Sequence, residues 1–353
     1  MEVQKKITVF DVAKAAGVSK GTVDRVLHNR GEVSGKSEAR VRKAIEELGY
    51  QRNVYASMLA TKNSYNIICL LPHCEEGEFW GLIRDGIASG QKYASNFNVN
   101  VECIYYDQYS PASFRSACAD LIKSAPSGVV LPPLFPDDTA RLVAELEKMN
   151  VPYSFVDTKI DDCRYLTYFG MPMRRSGELA AFLMTERCAS DAVDNVLVIR
   201  LLRDKESLAD PTAERREGFI DYMGRNFPSA SVDSIFIDPK DKLETERVLS
   251  EYFVSHPQQR FVVMFNSRIH LIADFLGRHP LPGRRVIGFD NLKGNIEALE
   301  SGVVDILVSQ HASHQSEYAI KSLVDSLVWG NAPEKRDNYM HMDIITRFNV
   351  LDY

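Results

Sequence analysis

The chain has 353 residues, 45% of them hydrophobic and 25% charged, with a formal net charge of −6. That length exceeds one typical domain of about 100–150 residues and carries enough apolar material for two or three cores. Composition argues against disordered, fibrous and membrane-spanning classes, since no biased tract occurs and no run approaches the ~18 apolar residues of a membrane helix.

At the chain start, Met1 to Lys6 has two lysines but no apolar stretch and no small-residue cleavage site behind it. Nothing there suggests secretion, and the cytoplasm is the expected compartment. Charge is unevenly spread. Residues 1–62 hold 12 Lys and Arg against 7 Asp and Glu, or +5, which leaves −11 for the rest. A basic head on an acidic body is the balance expected of a nucleic-acid-binding module joined to a domain that binds something else.

Residues 8–27 read TVFDVAKAAGVSKGTVDRVL. Val12, Ala13 and Ala16 share one helical face, the pattern breaks at Gly17, and it resumes after Ser19 with Val23, Val26 and Leu27. Ser19 suits an N-cap, and Gly17 suits the positive φ of a sharp turn between helices. Two short helices meeting in this way make a helix-turn-helix. Its second helix enters the major groove, so its first turns need slim polar residues; Lys20, Gly21, Thr22 and Arg25 meet that need. A third helix is expected over Glu38–Leu48, with Val41, Ile45 and Leu48 covering the first two. GEVSGKS, residues 31–37, resembles a phosphate-binding loop, but only three residues separate its glycines and no strand precedes it, so it reads as a helix-joining loop. NVYASMLATKNS, residues 53–64, reads as a short linker helix with a polar end.

The order D-V-A-x-x-A-G-V-S-x-x-T-V-x-R-V-L from Asp11, then Val33-Ser34, A-I-E-E-L-G-Y from Ala44 and N-x-x-A-x-x-L from Asn53 resembles the lactose repressor family over about the first 60 residues. The resemblance implies that Ser19, Lys20, Gly21, Thr22 and Arg25 lie on a DNA-recognition helix and that Ser34 touches a phosphate. It also implies a hinge helix over Asn53–Ala60 in which Asn53 meets DNA and Leu59 wedges into the minor groove, where an apolar side chain between base steps kinks the duplex. Arg52 stands where the family usually has proline, Asp24 where serine is common, and Gly21 offers no side chain to a base.

From Tyr65 short apolar runs alternate with helical patterns. NIICLLP, VNVECIYYD, GVVLPP and VPYSFVD read as strands, with helices expected around Phe79–Ala94, Ala112–Lys123 and Thr139–Met149 between them. The alternation restarts after a helix around Arg175–Arg187, with NVLVIRLL, SIFIDP, RFVVMFN and RRVIGFD separated by helices. Strand-helix repetition predicts parallel sheets covered on both faces, here as two doubly wound α/β lobes in series behind an all-α head. The chain end, MDIITRFNV, reads as a further strand. Strand C-termini of both lobes then face one cleft, the usual ligand position of such sheets. They offer Asp107, Asp157, Asn266 and Asp290, and Phe79-Trp80 opens the first helix of the body. Carboxylates and amides suit vicinal hydroxyls, and a flat aromatic face suits the apolar side of a sugar ring. Asp157 and Asp290 also suit turn caps after strands, Arg215 a helix surface, and Phe79 and Trp80 the lobe core.

R-x-x-G-F at Arg215–Phe219, V-I-G-F-D at Val286–Asp290, A-L-E-S-G at Ala298–Gly302 and the following Gln310 resemble the periplasmic-binding-protein-like (type I) effector domain of the same family. That likeness implies effector contacts at Arg215, Asn266 and Asp290, with Gln310 near the lobe crossover. The organisation implied is a DNA-binding domain over 1–50, a hinge over 51–65 and an effector-binding domain over 66–353, its N-lobe about 66–165 and 311–337 and its C-lobe about 166–310 and 338–353. The partners implied are a near-palindromic operator in duplex DNA, a sugar-like effector and a second copy of the chain. No catalytic group, cofactor or metal is expected: nucleophile elbow, dinucleotide fingerprint and zinc-protease motif are all missing, and His311 and His314 lack further ligands at suitable spacing. The six scattered cysteines read as reduced core thiols.

Overall fold

A computed structural model describes residues 8–27, 33–48, 64–75, 77–186, 188–189, 192–202 and 212–352. The head holds α1 (Val9–Ala16), α2 (Lys20–Leu27) and α3 (Gly35–Leu48). Thr8 and Asp11 form a reciprocal capping box at the start of α1, satisfying backbone N–H groups that a helix start leaves open. Gly17 ends that helix at φ +60°, a conformation open to glycine at no steric cost. The Ser19 hydroxyl accepts the Thr22 N–H at 3.1 Å to start α2, and Ser34 does the same for Ser37 at 3.4 Å in α3. Val12, Ala13, Ala16, Val23, Val26, Val41 and Ala44 close a small core between the three helices. The glycine-lysine-serine of the apparent phosphate loop is the first turn of α3.

The body begins with β1 (Tyr65–Pro72), α4 (Phe79–Ser95), β2 (Val99–Tyr106), α5 (Pro111–Lys123), β3 (Gly128–Leu131), α6 (Pro136–Lys148), β4 (Tyr153–Asp157) and β5 (Thr167–Gly170). A second series follows: α7 (Met173–Thr185), β6 (Asn195–Leu201), α8 (Ala213–Asn226), β7 (Ser231–Ile237), α9 (Lys242–Ser255), β8 (Phe261–Met264), α10 (His270–Arg278), β9 (Arg285–Phe289), α11 (Lys293–Glu300) and β10 (Ile306–Ser309). Then α12 (Ala312–Trp329) packs on the first sheet, and β11 (Asp337–Tyr339) and β12 (Asp343–Ile345) join the first and second sheets respectively.

Strand order is β11-β5-β4-β3-β1-β2 in one sheet and β12-β10-β9-β8-β6-β7 in the other. Among the described residues every strand pair is parallel except β10 with β12. Order reverses at β1 in the first lobe and at β6 in the second, so each lobe has a switch point where connections leave in opposite directions and open a crevice. Runs such as Ile67–Leu71 and Val196–Ile199 are buried throughout because helices cover both faces of each sheet.

Two limits differ from the sequence expectation. Thr167–Gly170 lies in the first sheet, not beyond a boundary at 165, and Asn338 and Tyr339 also pair there. The chain therefore passes between lobes after Gly170, near Gln310 and after Tyr339. A four-residue strand buried on both faces has no alternation to reveal it, so the residue pattern does not single out TYFG. The terminal strand is shorter than expected: after Ile345, Asn349 accepts from the N–H and hydroxyl of Thr346, turning the chain into a final 3₁₀ turn. Among the described residues no helix is long and apolar enough to cross a membrane.

Candidate functional site

In the head, Val23 and Val26 bury one edge of α2, which turns Lys20, Gly21 and Arg25 outward. Thr22 is half-buried, held by Ser19 at 2.9 Å between hydroxyls. Ser34 is exposed at the start of α3. The result is a polar helix edge with two cations, a shape that fits a major groove. Sequence reading passed over Phe10, an apolar residue of α1 that is 69% exposed. Asn53 and Leu59 lie outside the described residues.

In the body, the C-terminal ends of both sheets meet around a cavity of about 120 Å³ lined by Phe79, Trp80 and Asp157 from the first lobe and Arg215, Asn266 and Gln310 from the second. Six of the eight effector-contact candidates thus converge. Arg215, on the first turn of α8, is only 3% exposed. Its Nε donates to Ser176 Oγ at 2.9 Å, one terminal nitrogen donates to the Phe265 carbonyl, and among the described residues the other meets only the sulfurs of Met171 and Met173. The guanidinium also lies over the Phe289 ring, 4.0 Å from its centroid. Thioethers are weak acceptors, so one edge of a buried cation retains donor capacity for a ligand.

Asp157 ends β4 at φ +66° and lines the cavity. Its N–H donates to Gln315 and its carbonyl accepts the Tyr168 hydroxyl, while its carboxyl takes no hydrogen bond from the described residues. Burial pushes that carboxyl up to about 7; Arg215 opposes the rise and Asp290 adds to it. Asp290, at φ +64° after β9, stands one layer behind. It accepts from Ser267 and Gln310, both cavity residues, and so positions them rather than lining the cavity itself. Burial raises its carboxyl too, against the pull of Arg215 and these donors. Gln310 is 3% exposed and its Oε1 has no partner, leaving a buried acceptor open. Asn266 uses its Oδ1 to cap the turn at the Arg268 N–H, which leaves its amide nitrogen at the cavity.

Asp107 does not line this cavity. Its carboxylate accepts the Tyr109 N–H at 2.9 Å in an Asx turn, so the following Gln108 and Tyr109 take the wall. Gln108 receives the Trp80 indole N–H at 3.2 Å, and Trp80 packs edge-on to Phe79, so the aromatic pair serves core and cavity together. Two further contacts cross the cleft: Arg268 pairs with Glu78, and the Lys240 ammonium lies 4.9 Å from the Tyr109 ring centroid. Sequence reading missed Glu78, Gln108, Tyr109 and Arg268, because none stands at a strand end and their meeting depends on lobe approach.

A wider cavity of about 650 Å³ adjoins the first, sharing Leu134 and Met173. Its wall residues Lys159 and Arg174 are ion-paired and Arg175 and Glu214 are exposed to solvent, so the buried groups with open hydrogen-bonding capacity belong to the smaller one. Ligand sites commonly span about 300–1,000 Å³, a range reached only where the two cavities join.

Paired doubly wound lobes with a polar cleft at their switch points define the class of periplasmic-binding-protein-like domains, and the model of the periplasmic binding protein domain matches residues 68–331. The model of bacterial regulatory proteins of the lacI family matches residues 8–53. The chain belongs to the periplasmic binding protein domain family over its two-lobed body and carries a lacI-family helix-turn-helix head in front of it. It is 54% identical over 87 residues to the maltose regulon regulatory protein MalI of Escherichia coli, 25% of each chain. It is 27% identical over 293 residues to the ribose operon repressor of Halalkalibacterium halodurans, 81% of this chain and 80% of that one. The first curated relatives match over only 20% to 25% of their own length. A crystal structure assigned to a LacI transcriptional regulator from Bacteroides fragilis superposes with a TM-score of 0.77 at 28% identity, over 82% of this chain and all of that one.

Proposed function

We propose that the protein is a sequence-specific DNA-binding regulator whose operator affinity is set by a polyhydroxylated, sugar-like effector held between the lobes. The carrying observation is the lobe junction, where a buried cation, a buried carboxyl and a buried amide oxygen converge with open hydrogen-bonding capacity. Such groups cost about 1–3 kcal/mol each when left unmet, so the site favours a ligand bearing several hydroxyls. The lacI-family head supplies the readout, and relatives named for maltose and ribose regulation support the ligand class.

In this reading a homodimer sets two α2 helices on a near-palindromic operator, with Lys20, Thr22 and Arg25 facing bases and phosphates and Ser19 and Ser34 fixing the helix starts. Asn53 and Leu59 belong to the hinge contact with the minor groove. Phe79 and Trp80 supply the apolar wall of the effector site; Asp157, Arg215, Asn266 and Gln310 supply its polar contacts, and Asp290 positions them. Effector and DNA affinities are then coupled reciprocally through lobe closure.

The test has two arms. Selection from random duplex DNA is expected to enrich a near-palindrome, lost in Arg25→Ala, with affinity falling steeply as salt rises. Calorimetry against a saccharide panel is expected to find a ligand whose binding drops at least tenfold in Arg215→Lys. No enriched sequence and no saccharide bound would overturn the proposal.

A further inference from the structure

Two cysteines sit side by side where parallel strands meet. Cys69 in β1 is the register partner of Cys103 in β2. Register partners point to the same face of a sheet, and neighbouring strands lie about 4.8 Å apart. That spacing falls within the about 4.4–6.8 Å between Cα atoms that a disulfide spans. Each thiol is the strongest influence on the ionisation of the other, and both are free.

Their surroundings differ. Cys69 is fully buried under α4, whereas Cys103 lies on the edge strand and is only partly covered. The Cys69 thiol, the Tyr105 hydroxyl and the Arg84 charge face Cys103. The contact with Cys69 outweighs burial and draws the Cys103 thiol down to about 7, while the same contact and burial push Cys69 well up. One sulfur is thus poised as a thiolate and the other as a protonated reserve, the arrangement of a reactive and a resolving thiol. Burial raises Cys74, Cys163 and Cys118, the last to about 12, which makes them poor competitors.

We propose that Cys69 and Cys103 are an oxidisable pair, closed to a cross-strand disulfide by a hydroperoxide. The Cys103 sulfur attacks the terminal peroxide oxygen. The O–O bond breaks, and the departing alkoxide takes up the proton released by Cys103, leaving a sulfenic acid. Cys69 then attacks the Cys103 sulfur; an S–S bond forms, the S–O bond breaks, and hydroxide leaves as water with the Cys69 proton. In all, two thiols and one hydroperoxide give a disulfide, an alcohol and water, the two sulfurs each losing one electron. The bond ties down the strand that leads directly into Gln108 and Tyr109 at the cavity wall.

The test treats reduced full-length protein with hydrogen peroxide, alkylates the remaining thiols and maps the digest. The expected result is one crosslinked peptide pair joining Cys69 to Cys103, reversed by a thiol reductant. In Cys69→Ser, Cys103 is expected to accumulate as a sulfenic acid trapped by dimedone. In Cys103→Ser, peroxide consumption is expected to fall at least tenfold. Crosslinks between other cysteines, even oxidation of all six, or Cys103 oxidised in wild type without joining Cys69 would each overturn the proposal. The wild-type map decides the matter even where a serine variant fails to fold.

Discussion

Asp157 has a carboxyl that burial holds up to about 7, beside a second buried carboxyl at Asp290 and the Arg215 cation. The folded state keeps a proton on Asp157 that the unfolded chain releases near pH 4. Its contribution to stability is therefore complete below pH 4 and declines as pH rises towards 7, because the native state must then accommodate a desolvated anion. Asp157→Asn imitates the neutral form. It is expected to raise stability at pH 8 by about 1–2 kcal/mol, measured by urea unfolding, and to flatten the decline between pH 4 and 7. The same variant is expected to lose effector affinity at least tenfold, since its NH2 group donates where the second carboxylate oxygen would accept from a hydroxyl. A residue kept at the expense of stability and needed for the ligand is the mark of a binding site. Arg25→Ala, on an exposed helix edge, is expected to leave stability within about 0.5 kcal/mol while lowering the salt dependence of DNA binding by about two phosphate contacts, one from each subunit of the dimer, read from the slope of log affinity against log salt.

At the scale of elements, α8 is held against α7 by two glycines. A Cβ on Gly177 would lie 1.7 Å from the Arg215 carbonyl oxygen, and one on Gly218 would lie 1.9 Å from that of Arg174. Both obstacles are backbone, so neither yields without moving a helix. Close approach of α8 is what buries Arg215 against Ser176 and Phe289, which gives the R-x-x-G-F motif a physical meaning: the glycine lets the arginine reach its seat. Gly218→Ala is expected to cost about 2–3 kcal/mol of stability and to weaken effector binding with Arg215 still present; unchanged thermal unfolding and calorimetry would refute this. Much of this architecture was legible in the residues. The head followed from helix spacing with Gly17 and Ser19, and the lobes from alternating buried strands and amphipathic helices. Thr167–Gly170 was not, since four buried residues carry no period. Asp107 misled because a strand-end carboxylate can turn back on its own backbone, and Arg268 and Glu78 were silent because their partners lie 190 residues apart in sequence. The pairing of Cys69 with Cys103 depends on strand register, which composition does not fix.

At the scale of the whole molecule, the lobes meet through three chain passages and through side chains that cross the cleft. Arg268 and Glu78 are each less than one-third exposed, so their pairing is screened less than that of a surface pair, and it closes one side of the cavity. Arg268→Ala is expected to lower effector affinity about three- to thirty-fold by releasing the closed arrangement, seen as a faster effector off-rate in stopped flow; an unchanged off-rate would mean that closure does not depend on this pair. At the second passage His311 adopts φ +52° and meets Asp343, just after the third, at 2.7 Å, joining two of the segments that carry the chain between lobes. A lobe rotation must therefore move both ends of this contact, which links closure to the packing of α12 and the terminal strand.

The central claim is that one chain couples a DNA-reading head to a ligand held between its lobes. The most direct measurement is a pair of titrations: operator affinity with and without saturating effector, and effector affinity with and without operator. The expected result is the same factor in both, about 5- to 150-fold and of either sign, absent in Asp157→Asn at effector concentrations that saturate wild type. Both ligands binding with no change in either affinity would contradict the account.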